Sequence, residues 1–188
     1  NNSQILQAEA LEIIANHYFD HEQYQKAIVN LDRLLYLYVQ TGDSLKRAYT
    51  YNLYGLACYN TGVYDVAIKS YHSSIRLAME YQDNHLLALG YQNTGVLYDE
   101  LNRPAEAMEY YNKALDLYRV LKDRNGEASI MQNIGIIYSS DKKYRDALGY
   151  YLSALKVYEE LRDSLSMAML YLNLGSSYEE QAQFTRSL

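Results

Sequence analysis

The amino-acid sequence predicts an all-α fold, an array of antiparallel helix pairs with about four and a half pairs over 188 residues. Three observations lead to this prediction. Small residues recur every forty positions, apolar residues within each period follow helical spacing, and the chain contains a single proline. Because proline costs about 3 kcal/mol in a helix interior, its scarcity favours long helices over a turn-rich β architecture.

The forty-residue period is visible in five independent columns of small, aromatic or acidic residues. The columns are Gly55, Gly95, Gly135 and Gly175, with Ala15 one period earlier; Ala8, Ala48, Ala88, Ala128 and Ala168; Ala27, Ala67, Ala107 and Ala147; Tyr18, Tyr98, Tyr138 and Tyr178, with Cys58 in the remaining slot; and Asp43, Asp83, Asp123 and Asp163. A period of this length predicts one supersecondary unit per repeat, each stacked on its neighbours.

Within one period the spacing is that of an α-helix. Tyr91, Thr94, Gly95 and Tyr98 stand at i, i+3, i+4 and i+7, which places them on one helix face. A glycine in a helix costs about 0.5–1 kcal/mol relative to alanine. Its recurrence in every period therefore indicates a position where a second helix packs closely.

Two helices are predicted in each period. The first helices are predicted at 3–20, 44–60, 84–101, 124–140 and 164–181, and the second helices at 24–40, 64–81, 104–121 and 144–161. The aspartate column supplies N-cap oxygens for the first helices, and Pro104 stands in the first turn of a second helix, where no N–H is needed. Phe184 to Leu188 are predicted to begin another second helix, so the last pair is incomplete.

The pattern resembles the tetratricopeptide repeat (TPR), in a forty-residue variant of the usual 34-residue unit. The residues that carry the resemblance are Gly95, Tyr98, Ala107 and Tyr111 in the third unit and Gly135, Tyr138, Ala147 and Tyr151 in the fourth. The resemblance implies an α-α superhelix over 1–188 as a single array, with units at about 4–43, 44–83, 84–123, 124–163 and a truncated 164–188. Similar variants are those of kinesin light chains, Gα-regulating scaffolds and bacterial signalling proteins.

Most of the tyrosines are predicted to pack between helices because they recur in register with the small residues. Their columns are Tyr24, Tyr64 and Tyr144; Tyr71, Tyr111 and Tyr151; and Tyr38, Tyr118 and Tyr158. Tyr49 and Tyr59 lie outside these columns and are better candidates for contacting a ligand.

Composition disfavours several classes of function. The net charge is −6, and no basic run is longer than Lys142-Lys143, which disfavours a nucleic-acid binder. Cys58 is the single cysteine, and His17 and His21, four residues apart, have no third ligand nearby, so neither a disulfide framework nor a metal site is predicted. With no nucleophile-elbow or phosphate-loop pattern, neither an enzymatic activity nor a cofactor is expected.

No apolar stretch approaches the roughly 20 residues that span a bilayer, so direct membrane contact is not expected from these residues. The compartment stays open: periplasmic if the chain is part of a membrane-bound sensor, otherwise cytoplasmic.

The resemblance also implies that the first helices line a concave groove that binds a protein or an extended peptide. The candidate groove residues are Asn16, Tyr49, Asn52, Tyr59, Gln92, Asn93, Asp99, Glu100, Gln132, Asn133, Asn173 and Glu179, with Glu12, Ser139 and Ser140 at further groove positions. Acids and amides dominate this set. The basic clamp of chaperone-binding TPR domains is missing, and we expect a neutral or basic partner whose affinity falls as salt rises.

Asn93, Asn133 and Asn173 form one column of the groove. A carboxamide both donates and accepts, so such a column can bind the backbone of an extended peptide, as the asparagines of the kinesin-light-chain type do. The alternative is that these asparagines bridge neighbouring helices, and the sequence leaves the two interpretations equal.

The leading functional hypothesis is a non-enzymatic binding array that forms the sensory or interaction region of a larger bacterial signalling protein, such as a two-component sensor histidine kinase. One alternative is a free-standing scaffold that assembles a protein complex. A second is a regulator region that binds small signalling peptides. Self-association through the ends of the array is left open.

Overall fold

The computed structural model describes the backbone of residues 2–187 and the side chains of residues 3–182, and within that part of the chain it contains nine α-helices and no strand. The helices are α1 (Asn2–Asp20), α2 (Tyr24–Thr41), α3 (Ser44–Asn60), α4 (Tyr64–Glu80), α5 (Asn84–Glu100), α6 (Pro104–Leu121), α7 (Arg124–Ser140), α8 (Tyr144–Leu161) and α9 (Ser164–Ser187). The predicted fold class is confirmed, and every predicted helix end but the last is correct to within one residue.

The prediction for the C-terminal end is wrong. Helix α9 continues through Ser187 instead of ending near residue 181, so no second helix begins at Phe184. The side chains of Phe184 to Leu188 lie outside the described residues. In the earlier units a second helix packs back on the first, which offsets the cost of a sharp turn. Ala182 stands forty residues after Lys142, which lies in the turn between α7 and α8. Because alanine is the strongest helix former, it favours continuation of α9 at the position where the earlier units turn.

The chain divides into two compact units, residues 1–97 and residues 98–188, with the boundary inside α5. In the first unit α2 packs against α1 and α3, and α3 packs against α4. In the second unit α7 packs against α6 and α8, and α8 packs against α9. Each unit is held by buried apolar clusters, such as Leu31, Leu34 and Tyr38 in the first and Leu155, Tyr158 and Leu170 in the second.

One residue in each turn adopts a left-handed conformation, and these residues are twenty positions apart. They are Glu22, Gly42, Gly62, Gln82, Asn102, Lys122, Lys142 and Arg162, with φ between 55° and 77°. After α6, the N–H of Lys122 donates to the carbonyl of Arg119 and the N–H of Asp123 to the carbonyl of Tyr118, at 3.1 and 2.9 Å. This is a Schellman end, which satisfies carbonyls that the helix leaves unpaired.

The aspartate column caps the first helices as predicted. An Oδ1 atom of Asp43, Asp83, Asp123 and Asp163 accepts a hydrogen bond from the backbone N–H three residues later, at 2.9–3.1 Å. Each cap satisfies one of the N–H groups that a helix N-terminus leaves without a partner. The turn and the cap together set the start of every first helix after α1.

Two glycines of the column lie under tyrosine rings. A Cβ built on Gly55 would lie 2.7 Å from Cδ1 of Tyr71, and one built on Gly135 would lie 2.5 Å from Cε1 of Tyr151. Tyr71, Tyr111 and Tyr151 are almost fully buried, as are Tyr38, Tyr118 and Tyr158. The predicted packing role of these two tyrosine columns is confirmed. Tyr24 and Tyr64 are only half-buried.

Helix α9 departs from the columns that it shares with the other first helices. Ala168 is exposed although Ala8, Ala48, Ala88 and Ala128 are buried, and Tyr178 is 52% exposed. Nothing lies within 4 Å of a Cβ built on Gly175. The expectation that these columns always mark packing positions therefore fails on α9, where no following helix covers them among the described side chains.

Candidate binding surface

Two of the candidate residues in the first unit line a small cavity between α1, α2 and α3. The cavity has a volume of about 90 Å³, and its polar lining includes Glu12, Asn16, Lys46 and Tyr49. Tyr49 is 43% exposed, and its hydroxyl donates to Oδ2 of Asp83 at 2.8 Å. Glu12 accepts from the Tyr38 hydroxyl at 3.2 Å and lies 3.9 Å from Nζ of Lys46. The structure thus brings Asn16 and Tyr49 together.

Asn52 and Asn93 bind one another in the first unit. Nδ2 of Asn93 donates to Oδ1 of Asn52 at 3.0 Å, from α5 to α3, and Asn52 is only 4% exposed. The carboxamide of Asn52 is therefore turned into the helix packing and is not open to solvent. For this pair the bridging interpretation of the asparagines has direct geometric support.

Tyr59 and Gln92 are half-buried members of the same unit. The Tyr59 ring packs at the edge of the cluster formed by Cys58, Ala67 and Tyr71, with its centroid 5.9 Å from that of Tyr64. Tyr59 therefore contributes to packing, in contrast to the expectation that it stands apart from the core. Part of the ring is still accessible from solvent.

In the second unit, a cavity at predicted groove positions lies among the ends of α5 and α7 and the start of α6. Its volume is about 450 Å³, and its polar lining consists of Asp99, Asn102, Ser140 and Asp141. Partial burial, and secondarily the charge of Glu100, raise the pKa of Asp99. A negative, partly desolvated opening of this kind favours a basic or neutral group over an acidic one.

The remaining candidates lie on α7 and α9 of the second unit. Gln132, Asn133 and Asn173 are half-buried, whereas Glu179, like Glu100 on α5, is exposed. Ser139 contacts the buried Ser177 at 3.0 Å between their Oγ atoms, and both hydroxyls bind the hydroxyl of Tyr151. The ring that covers Gly135 is thus also held at its polar end, between α7 and α9.

A cavity in the second unit, whose charged lining is Arg119, Arg145 and Asp146, was not predicted. It has a volume of about 520 Å³, and its lining also includes Gly149 and the rings of Tyr138 and Tyr150, which are stacked at 5.4 Å. The sequence does carry a signal for it. Gly149 stands forty residues after Glu109, so the side chain that would occupy this space in the preceding unit is absent.

The two histidines that stand four residues apart at the end of α1 form a close pair. His17 and His21 stack with centroids 4.3 Å apart, and Nδ1 of His21 lies 2.8 Å from the carbonyl oxygen of His17. Over the part of the chain that the structure describes, no group of three or more His, Cys, Asp or Glu side chains is arranged to hold a metal ion. In the same part, every helix is too short or too polar to cross a bilayer.

Paired antiparallel helices, with the same glycine–tyrosine contact between α3 and α4 and between α7 and α8, define a helical-repeat protein. The chain belongs to the tetratricopeptide repeat family, whose sequence profile matches residues 46–120 and 109–160, more than half of the chain. This is a protein-interaction fold. No curated protein matches the sequence.

Several solved structures share this fold at low sequence identity. Aspartyl phosphate phosphatase F from Bacillus subtilis superposes with a TM-score of 0.86 at 16% identity, over 98% of this chain and 48% of that one. A Rap protein complexed with Competence and Sporulation Factor gives 0.82 at 14%, over 96% and 51%. A STAND protein with a TPR sensor from Pyrococcus horikoshii gives 0.82 at 18%, over 93% and 27%. The chain thus spans about half or less of each of these proteins.

Proposed function

We propose that this chain binds a protein or an extended peptide and forms the sensory or interaction region of a larger bacterial signalling protein, with a sensor histidine kinase as the first case to test. The observation that carries the proposal is the lining of the two cavities at first-helix positions. Both combine carboxylates with amide or hydroxyl groups. Glu12, Asn16 and Tyr49 lie beside Lys46 in one, whereas Asp99 and Ser140 line the other with no basic residue. No catalytic step is proposed for this region.

The chemistry of these linings specifies the partner. Carboxylates attract a basic segment, while amides and hydroxyls satisfy backbone groups whatever their sequence. Partial burial and the charge of Glu100 raise the pKa of Asp99, so a neighbouring cation would stabilise its ionised carboxylate. A lysine or arginine side chain of the partner would supply that cation. The bound partner would then bias the conformation of the array and of an attached output domain.

The asparagines provide the main test. The variant Asn133→Ala/Asn173→Ala should bind neutral and basic extended peptides at least tenfold more weakly, measured by calorimetry, while its melting temperature stays nearly unchanged. Adding Asn93→Ala removes the bond to Asn52 as well, so the triple variant should also lose some stability. The matched control is Asn112→Ala, an exposed asparagine on the second helix α6.

Two outcomes contradict this part of the proposal. Unaltered peptide binding together with a lower melting temperature would assign Asn133 and Asn173 to helix bridging. Tighter binding of acidic than of basic peptides, at any salt concentration, would reverse the proposed charge preference.

The signalling context is tested by the complete reading frame. A frame that holds membrane-spanning and kinase segments supports the sensor, whereas a frame without any output domain supports the free-standing scaffold. A third candidate, a regulator region that binds small signalling peptides, is favoured by the similarity to the Rap protein complexed with Competence and Sporulation Factor. Binding of short peptides by the isolated chain, saturating at one peptide per chain, would support that candidate.

A further inference from the structure

The cavity lined by Arg119 and Arg145 lies between two second helices of the second compact unit. Helices α6 and α8 both pack on α7, and α6 contributes Arg119 to the lining while α8 contributes Arg145 and Gly149. Its volume of about 520 Å³ falls within the range of about 300–1,000 Å³ that is typical of ligand pockets. The walls come from three helices that are already packed together, and the charged lining lies outside the first-helix positions of the proposed peptide site.

The preceding repeat shows what occupies the equivalent space. There Glu109 stands at the position of Gly149, and its Oε1 atom lies 2.6 Å from Nζ of Lys113. That ammonium lies 5.0 Å from the centroid of the Tyr110 ring. The fourth repeat has glycine and serine in place of the glutamate and the lysine, and Tyr150, the counterpart of Tyr110, lines the cavity. The carboxylate that the third repeat supplies at this position is therefore missing from the fourth.

The fourth repeat also adds a cation next to the missing carboxylate. Arg145 replaces Ala105 of the third repeat and stands four residues before Gly149, so the two positions are neighbours on one face of α8. Within the part of the chain that the structure describes, Arg145 makes no hydrogen bond or ion pair. Arg119 lies 3.7 Å from Asp116 in a pair whose side chains are both more than half exposed, and such a pair contributes little. Two guanidinium groups thus line the cavity with weak carboxylate partners or none.

Asp146 is the acidic residue of this lining, and a neighbouring cation lies within its field. Hydrogen bonding to Asp141, and to a smaller extent the charge of Asp146, raise the pKa of Lys143. The ammonium of Lys143 lies 6.0 Å from the centroid of the Tyr138 ring, which also lines the cavity. Lys143 therefore offsets part of the charge of Asp146, and the two arginines set the charge preference of the cavity.

We propose that the cavity between α6 and α8 binds a carboxylate side chain of an acidic segment in a partner polypeptide. The carboxylate takes the position that Glu109 occupies in the third repeat and accepts hydrogen bonds from the guanidinium of Arg145, with Arg119 as a second donor. Charge complementarity specifies this partner, because both arginines repel a basic segment. The preference is opposite to that of the first-helix surface, so the two sites bind segments of opposite charge.

The probe is a labelled tetraglutamate peptide, with tetraglutamine as the neutral comparison, in fluorescence anisotropy at low salt. Tetraglutamate should bind the 188-residue protein at least tenfold more tightly than tetraglutamine. Arg145→Gln should weaken tetraglutamate binding at least tenfold, and Arg119→Gln should weaken it by a smaller factor. Gly149→Glu restores the carboxylate of the third repeat and should abolish binding. It should not lower the melting temperature, because nothing lies within 4 Å of a Cβ added at Gly149.

Arg76→Gln is the matched control, because Arg76 is an exposed arginine on the second helix α4 of the first compact unit and the substitution makes the same change of charge. It should leave tetraglutamate binding unchanged. No binding of tetraglutamate, an equal loss in Arg76→Gln, or binding that survives both Arg145→Gln and Gly149→Glu overturns the proposal. Competition by free glutamate at the same concentration as the peptide would make the occupant a small carboxylate and exclude the polypeptide. A dimer that Arg145→Gln makes monomeric would make the occupant a second copy of this chain and exclude the partner.

The failure of this proposal is distinguishable from the failure of the proposed function. Asn133→Ala/Asn173→Ala should leave tetraglutamate binding unchanged, and Arg145→Gln should not weaken the binding of basic peptides. The charge preference of the first-helix surface is measured in the Arg119→Gln/Arg145→Gln protein, in which this cavity no longer attracts acidic peptides. Loss of tetraglutamate binding in the asparagine variant would place the acidic segment on the first helices and overturn the assignment to α6 and α8.

Discussion

Gly135 and Gly175 are the same residue at the same repeat position, yet they have opposite surroundings. Gly135 lies beneath the buried ring of Tyr151, whose hydroxyl is held by Ser139 and Ser177. Gly175 faces open space on a helix whose neighbouring leucine, Leu172, is 75% exposed. The repeat thus maintains a residue pattern, but the packing energy of that pattern exists only where a second helix covers it.

The largest expected effect comes from filling both notches with leucine. Gly135→Leu should lower the free energy of unfolding by about 1–3 kcal/mol or more, because the new side chain displaces Tyr151 from α7. Gly175→Leu has no atom to displace and replaces glycine by a much better helix former, so it should not lower the free energy of unfolding. Urea denaturation of both variants checks this, and equal losses at the two positions would remove the distinction between α7 and α9.

The next largest difference between α7 and α9 is expected when their N-cap aspartates are replaced. Asp123→Ala removes the hydrogen bond to the N–H of Gly126 and should cost about 1 kcal/mol of global stability, since α7 packs on both sides. Asp163→Ala should instead increase hydrogen exchange in the first turn of α9, because the face of that helix remote from α8 is exposed. Uniform loss of protection across the second unit after Asp163→Ala would mean that α9 unfolds together with α7 and α8.

Substitution by alanine is expected to change stability in opposite directions at the two glycines. Gly175→Ala should stabilise the protein by about 0.5–1 kcal/mol, because alanine is the better helix former and the added Cβ meets nothing. Gly135→Ala should destabilise it, since the new Cβ would lie 2.5 Å from Cε1 of Tyr151. Thermal melts of the two single variants suffice, and a gain at both positions would show that the Tyr151 ring moves aside without cost.

The turn before α8 contains the left-handed residue Lys142, whereas the equivalent residue Ala182 lies inside helix α9. Lys142→Gly should stabilise by about 0.5 kcal/mol, because relief of the left-handed strain exceeds the added freedom of the unfolded chain. Gly62→Ala, at the same turn position of the second repeat with φ of 77°, should destabilise. Denaturant midpoints of the pair test this, and a loss on Lys142→Gly would contradict it.

The smallest effect is a pH dependence at the start of α9. Hydrogen bonds from the side chain and backbone of Ser166 lower the pKa of Asp163 below that of the unfolded chain. The stability from this carboxylate is therefore complete above the unfolded pKa of about 3.9 and is lost as pH falls through the lower folded value. Asp163→Asn keeps a capping oxygen but should flatten this acid limb in melting experiments, and an unchanged limb would assign it to other carboxylates.

The sequence predicted the helices well because the signals for them are local. Each aspartate of the column stands directly before a helix start, and Gly55 and Gly135 each mark a helix crossing. The prediction that the columns mark packing positions failed on α9. A column position is buried only where a second helix covers the same face, and the alanine, glycine and tyrosine columns are the same in sequence whether or not that helix is present. That the chain forms one uninterrupted array stays a prediction.

The candidate surface was predicted less completely for a related reason. The resemblance to the tetratricopeptide repeat placed Asn16 and Tyr49 on one surface, and they do line one cavity. Spacing alone does not reveal that Asn52 turns inward to accept from Asn93, because that bond joins residues 41 positions apart through the rotation of two helices. The cavity around Arg145 was missed because its cause is a missing side chain, at Gly149.

The left-handed residues stand twenty positions apart throughout residues 22–162, so every helix and its turn consume the same length of chain. An in-frame duplication or loss of forty residues by unequal recombination would therefore rejoin a helix to its own counterpart, wherever the crossover fell. The breakpoint need not coincide with a turn, and the forty-residue period would continue unbroken across the junction. A gene of this kind can change the number of its repeats in one event while every cap, turn and glycine notch keeps its register.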